Sequence, residues 1–468
     1  MKLFVTFFGI FSVRSIIIIL LVFKINMASS LAETINSIGY FVTNESCCGK
    51  DSDPQAVHGI ETLNGGIVLS GKYMDLGNSH DGFVLKFPAI GKEKGNTWIL
   101  PTEKISYDWI YKFGTLGEED AANSAAVIGD FVFVAGAITN TEGILERYLA
   151  KLSLLSGELL WQKSFASPKK NRDSAIESVQ ITNENGLILT GVVNANRGTI
   201  EGFKSYGNPT DGNIFMMYFE EQQLLENFAP TGPMWEVSNE NALTGKTIKQ
   251  DIEDQSYLIA SSTREEPFIT KVIKIDQSGN IIWSKNYPNH GEITDIAIST
   301  INGRVDGYLF SGHRSDDDIG IDGAITKISK DGDILWSYIN GSQVGGRNNF
   351  ATMGKSNKNF NYEECWGIQS LDDGGAIMAC GTGTHCEEFK KDRRIYEQCI
   401  KDPGQTWMGL LIRVDQNGEL KWQMADSFIE DNMTIPTASE YIIYTKNRKL
   451  ISVLDLSFGF GVQLLEFN

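Results

Sequence analysis

The chain has 468 residues, with 41 basic and 59 acidic side chains and a formal net charge of −18 at pH 7. Such an acidic surface disfavours nucleic acid and anionic lipid as partners, because their phosphates repel it. The hydrophobic fraction of 41% is ordinary for a globular protein, so the chain can bury a large core.

The first segment has the composition of an export signal. Arg14 is followed by the apolar run 15–23 and then by small residues that suit a cleavage site. We therefore predict a signal peptide over 1–32, one globular domain over 33–468, and secretion of the mature chain. The alternative is a type II membrane anchor over residues 3–23, which would place Arg14 in the bilayer at a cost of about 2.5–3.5 kcal/mol.

All six cysteines lie after this leader, and an even number of cysteines in a secreted chain suggests disulfides. Cys386 and Cys399 bracket one polar loop, so we predict that they are bonded. Two further pairings stay open, Cys365 with Cys380 on neighbouring predicted strands and the vicinal pair Cys47 with Cys48.

Three Asn-x-Ser/Thr triplets fit an exported glycoprotein. They predict glycan attachment at Asn44, Asn340 and Asn432. Glycosylation of this kind requires each asparagine to lie on the surface.

Short runs rich in β-branched and aromatic residues follow one another along the chain, separated by Gly, Asn and Asp turns. The first is "SIGYFVTNE" at 37–45. The later units have two such runs and a third run, and in four of them a turn with Gly is followed by an outer run with Trp four residues after that Gly. Four clear examples are "KLSLLSGELLWQKSF" from Lys151, "KIDQSGNIIWSKNY" from Lys274, "KISKDGDILWSYI" from Lys327 and "RVDQNGELKWQMA" from Arg413.

Repeated four-stranded units predict an all-β, seven-bladed β-propeller with little helix, because one small sheet cannot bury its faces alone. The seventh unit, at 432–468, lacks an outer strand. The spare strand at 37–45 is predicted to supply it and to close the ring. The repeated Gly then lies in the turn before the outer strand, and the Trp packs between adjacent blades. Outer strands are predicted to begin near Trp98, Trp161, Trp235, Trp283, Trp336 and Trp422.

The Gly-turn-Trp pattern, preceded by "GG-x-I-x-x-x-G", resembles the Trp-rich quinoprotein-like propeller repeats of secreted proteins. The segment "SLLSGELLW" at 153–161 comes closest to their D-x-x-[ST]-G-x-x-x-W docking motif, with Ser153 at the Asp position. The resemblance covers the mature chain and implies a propeller fold. It also introduces a quinone-dependent oxidoreductase as one possible function.

In a propeller, the second-to-third-strand and blade-to-blade connections share one face, which we term the long-loop face. The opposite face carries the other two kinds of turn, which are short in the units quoted above. Long connections on the long-loop face make it the predicted binding surface, since function often lies in loops on a rigid scaffold. They span 194–212, 341–364 and 382–406.

These connections also collect basic side chains on an otherwise acidic chain, which would attract an anionic ligand such as an acidic glycan. Acidic residues in the last connection allow an internally paired loop as the alternative. Aromatic residues at the start of the sixth blade can stack on a sugar ring. The predicted ligand-binding residues are His58, Tyr362, Trp366, His385, Arg393, Arg394 and Trp407.

A calcium ion is a possible cofactor at "SDDDIGIDG", residues 315–323, because several carboxylates lie within one turn. The predicted ligands are Asp316, Asp318 and Asp322. Asp317 belongs to the same run, whose spacing differs from that of an EF-hand.

Two functions therefore compete. The first is a secreted binding or scaffold module for an extracellular protein or glycan. The alternative is a lyase or hydrolase of polysaccharide or a small metabolite, which should gather ionisable residues with shifted pKa values at the axial ends of the first strands. Candidate axial residues are Gln55, His58, Asn123, Glu177, Asp295 and Glu364.

Overall fold

A computed structural model describes most of the residues between 35 and 467. Regular structure in the described part is almost entirely β, with two short helices, α1 (Asn44–Cys47) and α2 (Glu221–Leu225). Neither helix is long enough to span a membrane. The described residues are 35–49, 51–77, 79–89, 107–200, 202, 211–263, 269–315, 321–340, 361–384, 407–426, 428–430, 433–456 and 459–467.

Seven four-stranded antiparallel blades follow one another, as predicted. The strand β1 (Ile35–Thr43) stands apart at the start of the chain. Blades 1 to 3 comprise β2 (Gln55–Glu61), β3 (Ile67–Met74), β4 (His80–Phe87), β5 (Trp109–Phe113); β6 (Ala121–Ile128), β7 (Phe131–Thr139), β8 (Leu145–Ser153), β9 (Leu159–Phe165); and β10 (Asp173–Ile181), β11 (Leu187–Ala195), β12 (Asn213–Phe219), β13 (Trp235–Asn239).

The remaining blades repeat the same order, and one parallel bridge, Ile321 to Tyr362, links blades 5 and 6. A small hairpin, β26 (Phe428–Glu430) with β27 (Met433–Ile435), precedes blade 7. Blades 4 to 7 comprise β14 (Gly245–Gln250), β15 (Tyr257–Ser262), β16 (Thr270–Ile275), β17 (Ile281–Tyr287); β18 (Glu292–Ile301), β19 (Arg304–Ser315), β20 (Ile321–Ile328), β21 (Ile334–Asn340); β22 (Asn361–Ser370), β23 (Ala376–Thr384), β24 (Met408–Val414), β25 (Leu420–Asp426); and β28 (Thr437–Tyr444), β29 (Leu450–Leu456), β30 (Gly459–Phe467).

The ring closes as predicted, because β1 is the outer strand of blade 7. It pairs antiparallel with β30 along its whole length, from Ile35 opposite Phe467 to Thr43 opposite Gly459. Val42 is 1% exposed and lies in the apolar cluster that joins blades 7 and 1. Closure thus removes two open sheet edges and buries apolar surface at the same place.

The repeated Trp docks onto the next blade. Trp109 of blade 1 lies over Gly157 in the third-to-outer turn of blade 2, and its indole N–H donates to the Leu154 carbonyl at 3.0 Å. A side chain on Gly157 would collide with the ring, since a Cβ there would lie 2.6 Å from it. The same Trp–Gly contact between successive blades recurs for Trp235 on Gly279, Trp283 on Gly332 and Trp336 on Gly418.

Two details of the sequence-based prediction were wrong. The outer strand of blade 1 begins at Trp109, whereas Trp98 lies outside the described residues. The third-to-outer connections of blades 1 and 3, residues 88–108 and 220–234, are also long. The turn before an outer strand is therefore short only in the other blades.

Both open cysteine pairings are bonds in the structure: Cys365–Cys380 joins the first two strands of blade 6, and Cys47–Cys48 is vicinal. Asn340 is 3% exposed and its amide oxygen accepts a hydrogen bond from Tyr338. This burial argues against a glycan at Asn340. Asn44 begins α1, while Asn432 and the predicted Cys386–Cys399 bond lie outside the described residues.

Candidate functional site

The first strand of every blade carries a β-bulge at the same level of the axis. Each blade thereby has one extra residue in its first strand, and each of these residues is less than 9% exposed. The bulged residues are Val57, Asn123, Glu177, Lys246, Thr294, Trp366 and Glu440.

The bulges explain why several second strands need glycine. At the bulge the first strand brings a carbonyl oxygen close to the second strand. A Cβ on Gly71 would lie 1.9 Å from the Gln55 carbonyl oxygen, and one on Gly136 would lie 1.9 Å from that of Ala121. The repeated glycine at the end of "GG-x-I-x-x-x-G" is thus a close-approach position.

Beyond the bulges, towards the opposite face, a cavity of about 160 Å³ lies on the axis. The second halves of the first strands line it. Its walls combine small or aliphatic residues with nearly as many polar or charged side chains. The lining residues are His58, Gly59, Ile60, Ala125, Ala126, Val179, Gln180, Ile181, Lys249, Gln369, Tyr441, Ile443 and Tyr444.

Lys249 contributes an ammonium group to the wall of this axial cavity. It comes from blade 4, yet it meets Tyr441 of blade 7, so the contact crosses the axis. Burial alone would lower the pKa of Lys249, but Tyr441 and the Asp295 carboxylate outweigh burial and raise it. Asp295 is itself held by the backbone N–H groups of Ile296 at 2.8 Å and Ile368 at 3.1 Å.

His58 lies beside this bridge, with its ring centroid 4.7 Å from that of Tyr441. Its Nδ1 accepts a hydrogen bond from the Ala125 N–H at 3.3 Å. The ring proton of the neutral imidazole is therefore on Nε2. Of the predicted ligand-binding residues, His58 is the one that the structure places in the axial cavity.

An ion-pair network occupies the long-loop end of the axis at blades 4 and 5. Lys246 Nζ lies 3.7 Å from Glu292 Oε1, and His313 Nε2 lies 3.6 Å from Glu292 Oε2. Burial alone would raise the pKa of Glu292, but His313 and Lys246 hold it below its usual range. For His313 the signs are reversed: burial alone would lower its pKa, but the carboxylates of Glu292 and Glu364 raise it above its usual value.

A second polar group lies at the same end, at the junction of blades 7 and 1. Gln55 donates a hydrogen bond to Asp455 at 3.2 Å. Burial, then Glu440 and Asp53, raises the pKa of Asp455 well above its ordinary value. Ionisable groups with shifted pKa values thus gather at the long-loop end of the axis, as the enzyme alternative requires.

Glu363, at the start of blade 6, is a buried carboxyl group with a measurable consequence. Burial and the neighbouring Asp322 raise its pKa from 4.5 to about 8, and Thr382 donates its hydrogen bond. The folded protein holds this proton more tightly than the unfolded chain does. Its stabilising effect is therefore complete below pH 4.5 and is lost as the pH rises through about 8.

We expect Glu363→Gln to flatten this pH dependence, because the amide keeps the shape and cannot ionise. The wild-type free energy of unfolding should fall by a few kcal/mol over that interval, at about 1.4 kcal/mol per pKa unit. Urea unfolding at several pH values measures it. The exposed Glu158→Gln is the control and should keep the wild-type slope; a wild-type slope in Glu363→Gln would contradict the expectation.

Most of the predicted axial residues connect blades. Asn123 is buried, and its amide donates to the carbonyls of Ile176 at 2.8 Å and Gly202 at 2.9 Å. Glu177 is buried at its bulge, and Asp295 ties blade 5 to blade 6 through Ile368. These polar groups therefore have structural roles that their sequence positions alone do not reveal.

The structure describes part of the predicted aromatic platform. Trp366 is 7% exposed, so its ring offers no open face to a sugar. The Trp407 ring packs against β23 at Gly381 and Gly383. The backbone of Tyr362 begins blade 6, and the predicted residues His385, Arg393 and Arg394 lie outside the described residues.

The calcium prediction remains a prediction. Asp322 lies in β20 beside Glu363, whereas Asp316 and Asp318 are outside the described residues. Within the described ranges, no group of three or more His, Cys, Asp or Glu side chains is arranged to hold a metal ion.

No protein-family model matches this chain, and no curated protein matches it by sequence. Among solved structures, it is similar to the Pan2 WD40 domain of Neurospora crassa, with 10% identity over 92% of this chain and 95% of that one and a TM-score of 0.50. It is also similar to Kuenenia stuttgartiensis hydrazine synthase, with 9% identity over 87% and 94% of the two chains and a TM-score of 0.49. A third similar structure is a quinohemoprotein alcohol dehydrogenase from Pseudomonas putida HK5. It has 10% identity over 92% of this chain and 76% of that one, with a TM-score of 0.46. At such identities the likeness concerns the propeller fold alone.

Proposed function

We propose that this chain is an exported binding module that recognises an extracellular partner with its long-loop face. One observation carries the proposal: three long connections leave that face of a rigid, closed ring. They follow β11, β21 and β23, and they lead into the third strands of blades 3 and 6 and the first strand of blade 6. Long loops that a scaffold holds together are a common form of recognition surface.

The charge of these connections favours an acidic glycan as the partner. The segment 341–360 contains Arg347, Lys355 and Lys358 and no acidic residue. It leaves from the end of β21 and returns at β22, whereas the whole chain carries a net charge of −18. A local basic segment on an acidic protein would concentrate carboxylated or sulfated ligands at this face.

Replacing residues 341–360, the basic connection, by a short Gly-Ser turn should abolish the binding of acidic glycans and leave a cooperative thermal transition. A printed array of carboxylated, sulfated and neutral glycans supplies the probes. The control replaces residues 90–106, a connection on the opposite face, in the same way and should retain binding. Unchanged binding after the first replacement, or loss only after the second, would refute the assignment of the face.

An enzyme that acts on polysaccharide or a small metabolite is the second candidate, and the ion-pair network around Glu292 favours it. Against the enzyme, the charged groups of this network are largely buried and contact one another. Ion-pair networks with a purely structural role also shift pKa values. Incubation of the protein with an acidic glycan found on the array separates the two functions. Shortened saccharides would favour the enzyme, and an intact, bound glycan would favour the binding module.

A quinone-dependent oxidoreductase, the function that the repeat resemblance introduces, gains no support from the axis. A cavity of about 160 Å³ matches the size that holds a benzene ring. None of the described lining residues comes from the segment 153–161, which carries the resemblance, so the axis adds nothing in favour of such a cofactor.

A further inference from the structure

The axial cavity is separate from the long-loop face, because its lining residues lie in the second halves of the first strands. Lys249 of blade 4 and Tyr441 of blade 7 both line this cavity. What binds in this cavity is therefore a different question from what binds the long loops.

The described walls of the cavity carry a cation without a facing carboxylate. Lys249 is a lining residue, and no acidic side chain is among the described residues that line the cavity with it. Tyr441 and Asp295 act on Lys249 electrostatically and raise its pKa, but Asp295 is not among the lining residues. No carboxylate in the described part of the chain is in ion-pair contact with its Nζ. A half-buried ammonium without a contact counter-ion favours the entry of an anion.

Neutral donors lie around the same space. Gln369 lines the cavity, and none of the described residues hydrogen-bonds its side-chain amide. Gln180 also lines it and spends one amide hydrogen on the Ile181 carbonyl at 3.1 Å. Other parts of the wall, at Ile60 of blade 1 and Val179 of blade 3, are apolar. Polar groups that converge beside apolar walls are typical of a small-molecule site.

We propose that the axial cavity binds a small organic monocarboxylate, with its carboxylate on Lys249 and Gln369 and its apolar body against Ile60 and Val179. The cavity volume of about 160 Å³ suits a body of the size of a benzene ring or a short aliphatic chain. Because the carboxylate pairs with an ammonium group, a neutral molecule of the same shape should bind with lower affinity.

Isothermal titration calorimetry of the chain with benzoate and butyrate tests this proposal, with benzamide as the neutral analogue and chloride as the inorganic anion. We expect both carboxylates to bind. Benzamide and chloride should bind at least about tenfold more weakly, because each loses the equivalent of one charge-assisted hydrogen bond. Equal affinity for benzoate and benzamide, or for benzoate and chloride, would refute the proposal, as would no binding of either carboxylate.

Lys249→Met keeps the length of the side chain and removes its charge, so it should weaken benzoate binding by about tenfold to a hundredfold. The control is Lys285→Met in the outer strand of blade 4, where Lys285 pairs with Asp333 and does not line the cavity; it should bind benzoate as the wild type does. Gln369→Leu is the second variant, which tests the site if Lys249→Met does not fold. Wild-type benzoate affinity in either folded cavity variant would overturn the proposal.

Discussion

Replacing Gly157 by Ala should lower the free energy of unfolding by about 2–5 kcal/mol, and two costs combine in this number. Gly157 has a φ of +71°, where an L side chain strains the backbone by about 1–2 kcal/mol. Its new methyl group would also lie 2.6 Å from the Trp109 ring, so blade 1 and blade 2 would have to separate locally. Chemical denaturation monitored by circular dichroism measures the change.

Gly303→Ala is the matched control for this substitution. Gly303 has a φ of +75° but no atom within 4 Å of the position a Cβ would take. The control should therefore lose only the backbone strain, about 1–2 kcal/mol. Equal losses of unfolding free energy at the two positions would show that the packing of Trp109 does not require a glycine at position 157.

Replacing Val42 by Asp should destabilise the protein by about 3–5 kcal/mol, as expected for a buried charge without a partner. Val42 lies in β1 and packs in the same apolar cluster as Phe460, Val462 and Phe83 of blades 7 and 1. The variant should unfold at a lower urea concentration, because both ring closure and the blade 7–blade 1 contact depend on this strand.

Leu63→Asp serves as its comparison, since it introduces the same charge at a side chain that is 74% exposed in a turn of blade 1. Its effect should stay within about 0.5 kcal/mol of zero. A neutral effect of Val42→Asp would mean that β1 does not close the ring in solution.

The architecture was predictable because its information is repeated in the sequence. Each Gly followed four residues later by Trp marks an outer strand, and the unpaired run at 37–45 matches the strand missing after the last repeat. Blade 1 lacks a complete copy of that signal. Two tryptophans, Trp98 and Trp109, follow its third strand, and spacing alone led to the wrong one.

The axial site could not be predicted in the same way. Lys249 occurs in "GKTIKQ", which does not differ from an exposed strand with alternating lysines. Its partner Tyr441 lies three blades further on, and only the curvature of the ring brings the two side chains together. Likewise, Glu292 gains significance from Lys246 and His313 on two other strands.

The pairing of β1 with β30 has a consequence for the order of folding. Synthesis produces Ile35 before every other strand of the ring and its partner Phe467 after the strands of all the other blades. The strand β1 therefore stays unpaired until the strands of the other blades have been synthesised. Contacts between residues so distant in sequence also form slowly. Nascent chains that stop short of Gly459 would carry an orphan amino-terminal strand, available to any exposed edge in another molecule.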